Sequence, residues 1–206
     1  MGTYINIGNA GFQSVRNGEY VDKSGLIALV NSTLFTERRY SCVTRSRRFG
    51  KSLAAKMLSA YYDRSVDSRA LFAGLQIARA PSFEKHLNKY PVIYLDLSDF
   101  TERFKNDSIV DKIKEKLRVD ILEAYPEVRV KEDDDLMEVL LRINDATGDT
   151  FILVQKCQRR PRLRRCLYDG HPACQEIQDR VGTEQFHRVV GINYDRETKT
   201  HSCRIE

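Results

Sequence analysis

Apolar positions in this chain follow helical spacing in some stretches and strand-like runs in others. In EYVDKSGLIALVNS, Tyr20 and Val21 form a short β-prone run, Asp22 or Ser24 can cap a helix, and Leu26, Ile27, Leu29 and Val30 supply its apolar side. YSCVT at 40–44 reads as a buried strand, and SLAAKMLSAYYD from Ser52 predicts a helix with Leu53, Met57, Leu58 and Tyr61 on one face. PVIYLDLSDF, opened by Pro91, is rich in β-branched and aromatic residues, as a central strand is. Ile109, Ile113, Leu117 and Ile121 then recur at four-residue spacing. After Pro126 the acidic cap Asp133, Asp134, Asp135 leads into a helix through Leu136, Val139, Leu140 and Ile143, which Gly148 ends. FILV at 151–154 is a third short apolar strand. Strands alternating with helices predict an α/β fold, with a parallel sheet flanked by helices.

The rhythm stops after residue 154. QKCQRRPRLRRCLYDGHPACQ, residues 155–175, has no apolar period and reads as a connector. RVVGINYD and TKTHSCRIE, around the turn residues Arg196 and Glu197, predict a small C-terminal β-hairpin. The expected organisation is therefore one domain over 1–154, the connector, and a short β-rich segment over 176–206.

With 206 residues, 41% of them hydrophobic and 31% charged, the chain can bury a core of its own. Its net charge of +5 is concentrated: residues 155–175 carry 6 Lys and Arg against 1 Asp, whereas residues 1–154 carry 23 against 22 acids. No apolar run approaches the roughly 18 residues of a membrane span, and the first residues have neither a basic nor an apolar leader region. A cytoplasmic protein without membrane contact is expected. The Met1-Gly2 start has Asn6 where a myristoylation signal needs a small hydroxyl residue, which argues against a lipid anchor. Five cysteines, an odd number without a secretory signal, suggest reduced thiols. Cys157, Cys166 and Cys174 flank His171 at gaps too long for the paired ligands of a zinc site.

Candidate chemistry lies in TRSRRFGKS. Gly50, Lys51 and Ser52 fall between a predicted strand and a predicted helix, the context a phosphate-binding P-loop requires. Backbone N–H groups there would cradle phosphates, Lys51 would reach the β and γ oxygens, and the Ser52 hydroxyl could ligate Mg²⁺. The usual pattern has a glycine six residues before the lysine, and this chain has Arg45. By local chemistry alone, an ordinary basic turn before a helix is the competing reading.

TRSRRFGKS closely resembles the TRPRRFGK[ST] loop of the AAA-ATPase-like proteins of bacteria, in which arginine stands in the first glycine's place. The similarity extends upstream to YVDKSGLIALV and downstream to LFAGLQIA and NKYPVIYLDLSDF, covering roughly residues 4–154. The resemblance implies a P-loop NTPase-type sheet and binding of ATP with Mg²⁺. It also implies phosphate contacts from Gly50, Lys51 and Ser52, with Ser52 on the metal and Arg47 and Arg48 as electrostatic partners of the nucleotide. Both arginines could equally be solvated or paired within the protein.

The resemblance breaks at two places. Hydrolysis needs an apolar strand ending in acid to hold the metal and activate water. The family continues such a strand with an acidic pair, as in IDEWD, but FILV is followed here by Gln155 and Lys156. Asp96, at the end of VIYLD, is the one substitute carboxylate, and its place in chain order favours a plain strand terminus. Residues 175–206 resemble the closing helix and hairpin of the PD-(D/E)XK nuclease-like domain that follows this ATPase in longer relatives, yet nothing between 155 and 175 fits that nuclease's catalytic residues. A deletion or frame disturbance joining the two parts would account for both breaks.

The expectation is thus an ATP-binding domain whose turnover is in doubt. The alternatives are a nucleic-acid-binding or nuclease-associated accessory protein using Arg159, Arg160, Arg162, Arg164 and Arg165, and a truncated product without a role of its own.

Overall fold

A computed structural model of the chain describes residues 2–37, 39–44, 50–104, 108–156 and, as backbone, 186–193. Its helices are α1 (Ala10–Arg16), α2 (Gly25–Thr33), α3 (Lys51–Tyr62), α4 (Arg69–Phe72), α5 (Phe83–His86), α6 (Leu97–Arg103), α7 (Ile109–Ala124) and α8 (Leu136–Thr147). A 3-10 turn covers Gln76–Arg79. The strands are β1 (Ser41–Thr44), β2 (Val92–Asp96), β3 (Phe151–Lys156) and β4 (Phe186–Asn193). They pair in parallel in the order β1-β4-β3-β2. The α/β expectation holds.

The hairpin expectation is corrected for the part that is described. Phe186–Asn193 does not turn back on a neighbour but pairs in parallel with β1 on one side and β3 on the other. The physical reason lies in backbone satisfaction: a lone hairpin is marginal in water, whereas a strand between two others pairs along both edges. The run Val189-Val190-Gly191-Ile192 is the continuous apolar sequence that a central parallel strand carries. The second half of the expected hairpin and most of the connector lie outside the described residues.

Side chains alternate across the sheet with period two. Val92, Ile152 and Val154 join one core cluster with Phe12, Ile27, Val30, Leu58 and the aromatic residues of α3. Ile93, Leu95, Phe151 and Leu153 join the other, beneath α6, α7 and α8. Within the first cluster, the amide of buried Asn31 donates to Tyr61 Oη (3.1 Å) and accepts from Tyr62 Oη (2.7 Å), so the polar atoms that these rings bring inside are paired.

The free edge of β2 is covered by residues 4–6. Tyr94 N donates to the Tyr4 carbonyl (2.7 Å) and Asn6 N to the Val92 carbonyl (2.8 Å). One carboxylate anchors this segment: Asp120 of α7, 7% exposed, accepts from the backbone N–H groups of Thr3 (2.9 Å), Tyr4 (2.7 Å) and Ile5 (2.7 Å).

Local signals hold where near neighbours decide. Asp135 and Glu138 form a capping box on α8, and Gly148 closes that helix at φ 73°. Three details differ from expectation. PVIYLDLSDF is a strand only to Asp96, where a side-chain cap starts α6 at Leu97, and β2 ends the strand order instead of lying at its centre. Leu53 is 39% exposed, because the buried face of α3 runs through Ala54, Met57, Leu58 and Tyr61. Neither Asp22 nor Ser24 caps α2 through its side chain. Instead Asp22 accepts from Gln76 N (2.7 Å) and Ser24 N (2.8 Å), and the Ser24 hydroxyl accepts from Ile77 N (3.1 Å). Tertiary donors on the 3-10 turn outcompete the helix end.

Candidate functional site

Because all four strands run in parallel, their C-terminal ends share one edge, where open α/β sheets place their ligands. β1 and α3 deliver the GKS triplet to that edge. Gly50 adopts φ 75° and ψ 22°, a left-handed conformation that suits glycine, and its carbonyl accepts from Ala54 N (2.9 Å) to open α3. Lys51 and Ser52 occupy the first two helical positions, where backbone N–H groups lack intrahelical acceptors and the helix dipole favours an anion. Both side chains are half-buried. Burial holds the Lys51 ammonium below the usual lysine range, a penalty that a bound anion would relieve. Arg45, Arg47 and Arg48 lie outside the described residues.

A residue that sequence reasoning passed over stands beside this triplet. A Cβ built on Gly50 would lie 3.1 Å from Lys23 Nζ, so the absence of a side chain at 50 makes room for a second ammonium. Lys23 comes from YVDKS, and that segment is fixed on both sides of it. Asp22 and Ser24 hold the 3-10 turn as above, and Tyr20 Oη approaches Met57 Sδ of α3 (3.2 Å). Although burial pushes the Asp22 carboxyl up, the N–H groups of Gln76 and Ser24 more than offset it and hold it below its usual range.

The end of β3 carries the opposite charge from the one hydrolysis needs. Lys156 pairs with the Asp96 carboxylate across the β2–β3 ladder, where the two residues are register partners. Asp96 also accepts from Ser98 N (3.1 Å) and so caps α6. The substitute carboxylate is therefore occupied by a lysine and a helix end. Lys156 and Val43 share the register partner Ile192, which sets them level across β4, roughly 10 Å apart.

The donor set fits a polyphosphate: first-turn N–H groups of α3, which have no acceptor within the helix, with the side chains of Lys51 and Lys23 at the same helix end. Its fit to a divalent cation is thin. Ser52 offers one hydroxyl, β3 ends in an ammonium, and among the described residues no group of three or more His, Cys, Asp or Glu is gathered as a metal site would need.

A family model described as predicted AAA-ATPase, AAA-ATPase-like, matches residues 6–156. The chain belongs to the AAA-ATPase-like family. The match ends at Lys156, the last residue of β3. No curated protein and no solved structure matches this AAA-ATPase-like chain. Among the described residues no helix is long and apolar enough to cross a membrane.

Proposed function

We propose that this AAA-ATPase-like chain binds ATP through the TRSRRFGKS loop and does not turn it over efficiently. The observation that carries the reading is the left-handed Gly50 at the head of α3, the first helix after β1 in the chain, with Lys51 and Ser52 in the first turn. The parallel order β1-β4-β3-β2, with this triplet at its C-terminal edge, supports a P-loop NTPase-type sheet. Lys51 would contact the phosphate oxygens, with Arg47 and Arg48 adding charge. The Ser52 hydroxyl is the side chain suited to a magnesium ion arriving with the nucleotide. No hydrolytic step is assigned, because Lys156 stands at the end of β3 and its partner Asp96 is engaged.

Titration of fluorescent ATP against the wild type and Lys51→Ala tests this. A charge-assisted hydrogen bond contributes about 1.5–3 kcal/mol, so affinity should fall about ten- to a hundredfold. Equal affinities would reject the reading. Nucleic-acid contact through Arg159, Arg160, Arg162, Arg164 and Arg165 rests on the charge of the connector alone, and those residues lie outside the described ones.

A further inference from the structure

We infer that Lys23 is a second phosphate-binding lysine of this site, reaching it from the segment ahead of α2; the inference rests on the P-loop reading of Gly50, Lys51 and Ser52. Its ammonium ends 3.1 Å from the Cβ position of Gly50, with its Cε at 4.0 Å. The residue as a whole is solvent-exposed. Its backbone is nonetheless fixed, since Asp22 and Ser24 on either side are tied to backbone N–H groups of residues 24, 76 and 77. Two neighbours are thus committed to structure while the residue between them is directed at the head of α3.

Electrostatics gives this arrangement its meaning. Lys23 and Lys51 bring two positive charges to the positive end of the α3 dipole, where cations are disfavoured. A polyphosphate between them reverses the sign of that interaction, and an ammonium contacts phosphate oxygens as a compact point charge. Gly50 then serves two ends: its conformation starts the helix, and its missing side chain leaves the space that Lys23 Nζ uses. The pairing also explains why YVDKS and FGKS belong to one site although 26 residues separate Lys23 from Gly50.

The test measures fluorescent-ATP affinity and melting temperature for the full chain and for Lys23→Met, Lys23→Arg and Lys51→Ala. Lys23→Met keeps most of the methylene packing and removes the charge. It should bind ATP about tenfold more weakly at an unchanged melting temperature, whereas Lys23→Arg should stay within about threefold of wild type. If Lys23→Met binds like wild type while Lys51→Ala does not, the Lys23 assignment fails and the P-loop reading stands. If Lys51→Ala also binds like wild type, the P-loop reading itself fails. Equal losses in Lys23→Met and Lys23→Arg would make the residue structural and overturn the inference. Should the methionine variant melt early, Lys23→Gln repeats the comparison, and ATP affinity equal to wild type in that variant overturns it too.

Discussion

Two left-handed glycines allow the geometry at Gly50 to be separated from generic backbone strain. Gly50 (φ 75°) opens α3 and Gly148 (φ 73°) closes α8, so alanine meets nearly the same backbone penalty at each. That penalty is about 1–2 kcal/mol for a residue with a Cβ. It is partly offset by about 0.4–1 kcal/mol from the stiffer unfolded chain, leaving each variant destabilised by about 1 kcal/mol. The surroundings differ. A Cβ at 148 has nothing within 4 Å, whereas at 50 it meets Lys23 Nζ at 3.1 Å. Since that atom is the tip of a flexible exposed side chain, it should swing away at little cost in stability. Urea denaturation should therefore give Gly50→Ala and Gly148→Ala stabilities within about 0.5 kcal/mol of each other. ATP titration should separate them: Gly50→Ala loses about tenfold or more because the methyl enters the phosphate seat and displaces an ammonium, while Gly148→Ala, at the opposite edge of the sheet, keeps wild-type affinity. Indistinguishable affinities would refute the placement of phosphate beside Gly50. A stability gap above about 2 kcal/mol would refute the claim that Lys23 yields freely.

Asp120→Ala should cost about 3 kcal/mol in urea denaturation, because three backbone N–H groups lose one charged acceptor at once. Asp120→Asn, which keeps a carbonyl oxygen, should cost less; a loss below about 1 kcal/mol for the alanine variant would mean that the segment covering β2 adds little to stability. Buried His86, whose Nδ1 lies 2.7 Å from Tyr90 Oη, has its pKa pushed down by burial and then by nearby Lys85. The unfolded chain therefore binds the extra proton first, so this contribution is complete above the ordinary histidine value of about 6.5 and is lost as pH falls below it. Melting temperatures from pH 7.5 to 5.5 should fall more for wild type than for His86→Gln, and parallel curves would disprove the assignment.

How much was legible follows from the range over which each feature is decided. Apolar periodicity placed α2, α3, α7 and α8 and the strands β1, β2 and β3, because a helix or strand buries a face set by residues a few positions apart; the short helices α1, α4, α5 and α6 carry too few turns for such a pattern. The register within β2 and β3, with alternate residues divided between two core clusters, obeys the same rule. The face of α3 was misjudged at Leu53, since an amphipathic pattern next to small alanines does not reveal which side the sheet will cover. At the candidate site, the triplet Gly50, Lys51, Ser52 was legible because its chemistry needs only a strand, a tight turn and a helix start. Lys23 is not legible in this way, although it lies in the family-like YVDKS run, because nothing local to it points to residue 50.

The sequence by itself determined the alternation of helices and strands, the αL glycines at 50 and 148, the cap at Asp135 and the family to which residues 6–156 belong. These depend on short-range sterics and hydrogen bonding. The tertiary structure alone decided that Phe186–Asn193 lies between β1 and β3, that Asp22 and Ser24 serve the 3-10 turn instead of α2, that Lys156 takes up Asp96, and that Lys23 arrives beside Gly50. Each joins residues distant in the chain, and sheet order selects among partners that the sequence presents as equals. The site's positive charge is thus a product of the fold: a lysine from the segment before α2 and the GKS triplet meet where the strands end.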